Sequence, residues 1–125
     1  MRYAIHLHIT DPAHYDFMFE KDGVLVTWRV STDGMEEMLE GQTVSAERIK
    51  DHGIRYLDYE GPISCDRGRI ELFDSGEYES DPASNPIKLR LAGSRLNGTI
   101  TISDSKMSYA GASGSPLPLP PDIPR

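Results

Sequence analysis

Apolar and polar residues alternate with a period of two in the first part of the chain. Residues 2–9 place large apolar side chains at the odd-numbered positions, whereas His6 and His8 occupy even-numbered ones. Residues 14–20 repeat the alternation, with aromatic side chains on one face and a histidine and two acids on the other. This period is that of a β-strand with two different faces. We therefore predict two strands, separated by the break at Thr10-Asp11-Pro12.

Later segments show the same alternation in shorter runs, which predicts further strands. These are, in chain order, Val24–Val30, Arg69–Asp74, Glu77–Glu79, Ile87–Leu91 and Thr99–Ile102. Residues that favour tight turns or polar loops lie between them. The predicted connections are the hairpin turn Lys21-Asp22-Gly23, the turn Ser75-Gly76, the polar loop Asp81–Pro86 and the hairpin turn Asn97-Gly98.

Two segments in the middle of the chain give weaker patterns. Residues 31–41 are predicted as a loop with one helical turn at Glu36–Leu39. Residues 44–51 fit two structures. One is a short helix that Ser45 would cap and that ends before Gly53, and the other is a strand.

Many short strands at this spacing are typical of an antiparallel barrel or sandwich. The predicted fold class is mainly β, a compact antiparallel β-barrel with one or two short helices. From about Gly111 the chain becomes rich in Gly, Ser and Pro. We therefore expect one folded domain over residues 1–110 and a disordered tail over residues 111–125.

Composition narrows the class of protein. At 125 residues the chain has room for one domain with a real core, and its net charge of −7 argues against bulk electrostatic coating of nucleic acid. No apolar run reaches the roughly 20 residues of a membrane helix, and histidines interrupt the N-terminal segment where a signal peptide would be apolar. The single Cys65 cannot form an internal disulfide. We expect a cytoplasmic protein with no membrane partner.

The first two strands carry a candidate metal site. His14 and Asp16 are two residues apart, so their side chains project from one face of a strand about 6–7 Å apart at the backbone. His8 ends the preceding strand and can reach the same point. Imidazole and carboxylate suit Mn²⁺, Zn²⁺ or Fe²⁺. His6 shares the face of His8, so it is either a residue that supports a metal ligand or the ligand itself in place of His8. Glu20 is four residues beyond Asp16, which is far for direct coordination.

A second group of residues suits phosphate chemistry. His52 can act as a proton donor near neutral pH, and the hydroxyl of Tyr56 can donate to a phosphoryl oxygen. Arg55 lies beside them, and Arg67 could bind phosphate with two hydrogen bonds. Each of these residues also has an ordinary structural alternative, as a packing aromatic or part of a surface turn.

Four motifs in sequence order resemble the 3′-phosphoesterase domain of bacterial ATP-dependent DNA ligase D, and the similarity covers roughly residues 3–105. The short closing run R-L-x-G from Arg95 to Gly98 fits as well. The four motifs are H-x5-H-Y-D-F from His8 to Phe17, D-G-V-L-x-x-W-x-V from Asp22 to Val30, D-H-x3-Y-x2-Y-E-G from Asp51 to Gly61, and G-x-I-x-x-F-D-x-G-x-Y-E from Gly68 to Glu79.

This resemblance implies a compact barrel with a metal pocket, and an enzyme that removes 3′-phosphates or 3′-terminal ribonucleotides from DNA ends with Mn²⁺ favoured. It implies that His8, His14 and Asp16 are the metal ligands. It also implies that His52 contacts the phosphate and assists the leaving group, while Tyr56 contacts the phosphate. The implied partners are a DNA or RNA 3′ end and a separate ligase or polymerase.

Two positions depart from the family pattern. Met18 stands where the family has an arginine that grips the phosphate, and Ser31-Thr32 stand where it usually has Pro-Lys. The cations Arg29, Arg55 and Arg67 are the candidate substitutes. The leading hypothesis is a metal-dependent phosphoesterase. The alternatives are a non-catalytic module that binds DNA ends or a repair partner, and a small barrel with structural histidines.

Overall fold

The computed structural model describes residues 1–63, 68–80 and 86–111. Within these ranges the chain is mostly strand, with one α-helix and one short 3-10 helix. The strands are β1 Arg2–Ile9, β2 His14–Lys21, β3 Val24–Ser31, β4 Val44–Ser45, β5 Glu47–Gly53, β6 Gly61–Pro62, β7 Arg69–Ser80, β8 Ile87–Gly93, β9 Asn97–Ser103 and β10 Lys106–Gly111. The helices are α1 Thr32–Leu39 and the 3-10 helix Ile54–Asp58.

The strands form one antiparallel sheet that curls into a nearly closed barrel. Their order is β4-β10-β9-β8-β7-β1-β2-β3-β5, and β6 pairs with β7 away from this path. The two outermost strands, β4 and β5, are separated in the chain by Ala46 alone. This bent segment therefore pairs with both ends of the sheet. The backbone N–H of Ala46 donates to the carbonyl of Ser105 at 2.9 Å. The prediction of a mainly β, antiparallel barrel is confirmed.

The apolar side chains of the alternating segments face the barrel interior. Tyr3, Ile5 and Leu7 of β1 are almost fully buried, as are the aromatic side chains of β2. Met35 and Met38 of α1 join the same cluster. Burying this face leaves the opposite face of β1 and β2, with its histidines and acids, on the outside of the barrel.

The helix α1 is longer than the single predicted turn at Glu36–Leu39. It begins at Thr32, because the Ser31 hydroxyl accepts a hydrogen bond from the backbone N–H of Gly34 at 2.9 Å and so caps the first turn. The glycine obscured this start in the sequence, since glycine is a poor helix former.

Residues 44–51 are strands, so the helical alternative was wrong and the strand alternative is confirmed. Ser45 caps no helix. It pairs instead with Lys106 of β10. β5 pairs along β3, with Ile49 opposite Thr27. The local sequence is compatible with both helix and strand, and the pairing of this segment with β10 and β3 stabilises the strand.

The two predicted turns at Ser75-Gly76 and Asn97-Gly98 were wrong, because both dipeptides lie inside strands, in β7 and β9. A Cβ atom on Gly76 would lie 2.2 Å from the carbonyl oxygen of Ala92, and one on Gly98 would lie 2.1 Å from that of Ala110. These glycines allow neighbouring backbones to approach closely. The β8–β9 hairpin turns at residues 94–96.

Strand β10 has no counterpart in the sequence predictions. The turn before it, Asp104-Ser105, has positive φ angles of 50° and 60°. These are the angles of a tight hairpin turn, but the turn contains no glycine to mark it.

Asp74 is a buried acid that organises the fold away from the histidines. Its carboxylate accepts hydrogen bonds from the Tyr3 hydroxyl at 2.5 Å and from the backbone N–H groups of Arg95 and Leu96 at 2.8 and 3.0 Å. Burial, followed by the hydrogen bond to Asp74, raises the pKa of Tyr3. This network ties the β8–β9 connection to β1 and β7.

Some predictions fall outside the described residues. They concern Cys65, Arg67, most of the polar loop 81–86 and the tail beyond residue 111. In the ranges that are described, no helix has the length and apolar character needed to cross a membrane.

Candidate functional site

The candidate site lies on the outer face of the sheet where β1, β2 and β3 run side by side. The pairing of β1 with β2 places His8 opposite His14 and His6 opposite Asp16. The pairing of β2 with β3 places Arg29 opposite Asp16. Hairpin register alone therefore brings these five side chains into two adjacent rows.

His8, His14 and Asp16 form the candidate metal centre. One ligand atom from each lies within 4.8 Å of the other two. The rings of His8 and His14 meet edge to face with centroids 4.8 Å apart, and Nε2 of His14 is 3.6 Å from Oδ2 of Asp16. The structure thus brings together the three residues that the sequence singled out.

The protonation of His14 suits a ligand role. Its Nδ1 lies 3.3 Å from the backbone carbonyl of Pro12, which only accepts hydrogen bonds, so Nδ1 carries the proton. Its Nε2 is buried and has no hydrogen-bond partner among the described residues. With Nδ1 held by the backbone, Nε2 is the nitrogen that faces Asp16 at 3.6 Å, and it can bind a cation once it carries no proton.

Asp16 offers an ionised carboxylate to the same point. Burial would raise its pKa, but the His14 imidazole and the Arg29 guanidinium outweigh burial and hold the pKa of Asp16 below the ordinary value of 3.8. Two imidazole nitrogens and one carboxylate oxygen are a donor set that fits a divalent cation such as Mn²⁺ or Zn²⁺. Three protein ligands also leave coordination positions for water and substrate.

His6 lies beside this centre but is not one of the three grouped ligands. It is 1% exposed, its imidazole lies beside the backbone of Tyr56, and its Nε2 has no hydrogen-bond partner among the described residues. Burial lowers the pKa of His6 to about 4, so the ring is neutral. Its role is to link β1 to the 3-10 helix, and the geometry favours His8 over His6 as the ligand.

The residues predicted to contact phosphate come from the end of β5 and from the 3-10 helix. They are called the phosphate half, and His8, His14 and Asp16 the metal half. His52 and Tyr56 meet edge to face with ring centroids 6.0 Å apart. His52 is close enough to His6 to contribute to lowering its pKa. Nδ1 of His52 lies 3.1 Å from the carbonyl of Lys50. The predicted pair therefore lies together, on the side of the site where His6 lies.

Met18 anchors the 3-10 helix. It is fully buried and packs in an apolar cluster with Ala4, Leu25 and Leu57, the last of which comes from that helix. Met18 thus supports the element that carries Tyr56. An arginine at this position would have to displace Leu57 or leave the cluster.

The three predicted phosphate-binding arginines have different outcomes. Nε of Arg29 lies 3.0 Å from Oδ1 of Asp16, at the edge of the metal centre, and 39% of its side chain is exposed. Arg55 stacks on Tyr56, with its guanidinium carbon 4.9 Å from the ring centroid, and donates to the Tyr56 hydroxyl at 3.1 Å. Arg67 lies outside the described residues. Arg29 is the cation nearest the metal ligands that the structure places.

A groove of about 1060 Å³ opens beside the metal centre. His14 and Arg29 border it at one end, and Lys106 lies at the other. His14 lines the groove but His8 and Asp16 do not, and neither His52 nor Tyr56 lines it, so the groove meets the site at its metal side.

Sequence reasoning did not find Thr27. This residue lies between the metal half and His52, and its hydroxyl is 3.1 Å from Nδ1 of His52. A threonine inside an alternating strand gives no sign of such a contact, which depends on the pairing of β3 with β5.

Comparison with known proteins agrees with this geometry. Residues 6–104 match the family described as the DNA Ligase D 3′-phosphoesterase domain. This range contains His8, His14 and Asp16 of the metal centre, and also Arg29, His52 and Tyr56.

Individual relatives match over most of the chain. It is 31% identical over 106 residues to the multifunctional non-homologous end joining protein LigD of Mycobacterium bovis, covering 77% of this chain and 13% of the relative. It is 33% identical over 91 residues to the protein of the same name from Mycolicibacterium smegmatis, covering 70% and 12%. The Pseudomonas aeruginosa protein is 28% identical over 109 residues, covering 78% and 12%.

The chain thus spans only about an eighth of the length of these relatives. The family match, in contrast, takes in most of its 125 residues. The chain belongs to the DNA ligase D 3′-phosphoesterase domain family.

Proposed function

We propose that the protein is a metal-dependent phosphoesterase that acts on nucleic-acid 3′ ends, removing a 3′-phosphate or a 3′-terminal ribonucleotide. The observation that carries this proposal is the convergence of His8, His14 and Asp16 on the outer face of β1 and β2, with His52 near His6 of the same face. The names of the relatives place them in non-homologous end joining, which supports a role in DNA repair. A separate ligase or polymerase is the partner expected to use the trimmed end.

The metal centre would hold one divalent cation, and we propose Mn²⁺, with Zn²⁺ as the alternative. Such a cation polarises a phosphoryl oxygen and lowers the pKa of a bound water. Asp16 supplies the negative charge of the site, and Arg29 partly offsets it.

His52 is the proposed general acid. Water adds its oxygen to phosphorus and loses a proton to the solvent, while the bond from phosphorus to the leaving oxygen breaks. Because Nδ1 of His52 donates to the Lys50 carbonyl, Nε2 is the nitrogen that can give its proton to that leaving oxygen. His52 ends the step as a neutral imidazole.

Tyr56 and Arg29 are the proposed contacts to the non-bridging oxygens. The Tyr56 hydroxyl accepts from Arg55, so its own proton remains available for a phosphoryl oxygen. Arg29 presents a partly exposed guanidinium beside the metal ligands. Arg55 would act mainly by orienting Tyr56.

One observation favours a second candidate, a non-catalytic module that binds nucleic-acid ends. Met18 is apolar and fully buried where the resembling family has its phosphate-gripping arginine. A site with fewer cations holds a dianionic terminal phosphate less firmly. This module would bind metal or ends without turnover.

The test is turnover of primer-templates that carry either a 3′-phosphate or a 3′-terminal ribonucleotide, with Mn²⁺ and with a chelator. We expect product release that requires Mn²⁺ and is abolished by H14A. The control R90A removes an arginine that is also paired with an acid, Glu79, but lies on β8. It should keep wild-type activity. End binding without turnover of either substrate would favour the second candidate, and full activity of H14A would refute the proposed mechanism.

A further inference from the structure

Thr27 is the buried polar residue that touches the candidate general acid. It lies on β3 opposite Met18 of β2, with no exposed surface. A buried hydroxyl is costly unless it is hydrogen-bonded. The partners of the Thr27 hydroxyl therefore show what its position requires.

Those partners determine the direction of each hydrogen bond. The Thr27 hydroxyl lies 2.9 Å from the backbone carbonyl of Leu25, and a carbonyl can only accept. The single hydroxyl proton is thus committed to Leu25. Towards Nδ1 of His52, at 3.1 Å, the Thr27 oxygen can act only as an acceptor.

The backbone of β5 also requires Nδ1 of His52 to be a hydrogen-bond donor. Nδ1 also lies 3.1 Å from the carbonyl of Lys50, a second group that only accepts. The register of β3 with β5 shifts between the pairs Leu25–His52 and Thr27–Ile49, so β5 carries one extra residue there. A bulge of this kind turns backbone groups away from the ladder and re-aims a side chain. Among the residues that the structure describes, Nδ1 of His52 therefore faces two acceptors and no donor.

We propose that Thr27 is a positioning residue that holds His52 as the tautomer with its proton on Nδ1. Nε2 is then the nitrogen that changes its protonation. The catalytic consequence rests on the proposed function, because it concerns a proton given to a leaving oxygen. The statement about the tautomer does not, because it follows from the hydrogen bonds alone.

The same contact stabilises the product form of His52. As an imidazolium, His52 carries protons on both nitrogens, and after giving up the Nε2 proton it becomes the tautomer that Thr27 and Lys50 hold. A ring free to rotate would populate other orientations and the other tautomer. Loss of Thr27 should therefore slow the chemical step while leaving substrate binding intact.

The test that is independent of activity is the ¹⁵N NMR spectrum of the histidine side chains at about pH 8, above the ordinary histidine pKa. The chain has only four histidines, His6, His8, His14 and His52, which makes assignment practical. We expect His52 to be protonated on Nδ1. Protonation on Nε2 in the wild-type protein would overturn the proposal without any variant.

The variants are T27V, which keeps the shape but removes the hydroxyl, and T27S, which restores it. In T27V we expect the ¹⁵N chemical shifts of the two ring nitrogens of His52 to move towards each other, as in a mixture of the two tautomers. In T27S we expect them to return to the wild-type values. T101V, on β9 away from the site, is the matched control and should leave the His52 spectrum unchanged. Identical His52 spectra in wild type and T27V would overturn the proposal.

Kinetics provides the second readout. General acids contribute roughly 10²–10⁴-fold, so loss of positioning alone should lower kcat by about tenfold in T27V with KM unchanged. T27S should recover most of that loss. A change in KM alone would contradict the positioning role. An inactive wild-type protein whose His52 shows the expected tautomer, and loses it in T27V, would refute the proposed function but uphold the placement of His52 by Thr27.

Discussion

The two halves of the candidate site are built in different ways. The metal half uses one hairpin, in which the pairing of β1 with β2 brings His8, His14 and Asp16 together. The phosphate half uses the end of β5 and the 3-10 helix, which reach the site from another edge of the sheet. A local element can carry a complete donor set, whereas the second half depends on packing between elements distant in sequence.

The two halves are joined by buried contacts rather than by exposed charges. The imidazole of His6 lies beside the backbone of Tyr56, and Met18 packs against Leu57. These contacts fix the distance between the metal ligands and the groups proposed to contact phosphate. Variants can therefore break either half separately, or the joint between them.

The largest effect is expected from breaking the metal half with D16N. The amide keeps the shape of the side chain but removes the charge that a divalent cation requires, so Mn²⁺-dependent turnover should be lost. In thermal melts, Mn²⁺ should raise the Tm of the wild-type protein, because saturation at 100 times Kd adds about 2.7 kcal/mol. The Tm of D16N should not respond. An equal response in both proteins would place the metal elsewhere.

Breaking the phosphate half with H52N should separate catalysis from metal binding. The asparagine removes the proposed proton donor, so we expect kcat to fall by roughly 10²–10³-fold. The rise in Tm with Mn²⁺ should match that of the wild-type protein. Loss of metal binding in H52N would show that the two halves are not separable.

The joint between the halves is tested by M18R. Placing a guanidinium in the apolar cluster beneath the 3-10 helix should lower the free energy of unfolding by about 2–4 kcal/mol. Urea denaturation measures this change. A stable M18R protein with increased activity on 3′-phosphates would instead show that the 3-10 helix yields and that the lost cation limits the reaction.

A smaller effect is expected from R29A, which removes the cation at the edge of the metal centre without touching the barrel core. The KM for a 3′-phosphorylated end should rise by about tenfold, since hydrogen bonds to charged groups contribute about 1.5–3 kcal/mol and this one is partly exposed. R90A is the matched control because Arg90 is also paired with an acid, at 3.1 Å from Glu79. Equal kinetics for R29A and R90A would exclude Arg29 from the site.

The smallest effect concerns acid stability without metal. The pKa of Asp16 lies below its unfolded value, so its contribution to stability is present above about pH 4 and is lost as the pH falls through the folded pKa. Between about pH 6 and pH 3 the wild-type protein should lose more stability than D16N, which cannot titrate at this position. Melts across this range provide the comparison, and parallel curves would contradict it.

The geometry of the metal half follows from the sequence more directly than that of the phosphate half, for a physical reason. Strand alternation and a short hairpin fix which face His14 and Asp16 share, and both are local properties. Thr27 could not be recognised, because its contact with His52 depends on a register shift between β3 and β5. The two turn predictions were wrong for a similar reason. Gly76 and Gly98 lie where the backbone of a neighbouring strand approaches closely, and that strand is distant in the chain.

Pulsed EPR of the Mn²⁺-loaded protein tests the central claim most directly, by counting imidazole nitrogens bound to the metal. We predict two directly coordinated nitrogens in the wild-type protein and in H52N, and one in H14A, if it retains the ion at high Mn²⁺ concentration. Replacement of His6 should leave the count at two. No coordinated nitrogen in the wild-type protein, or a count that falls in H52N but not in H14A, would contradict the assignment of the metal to His8, His14 and Asp16.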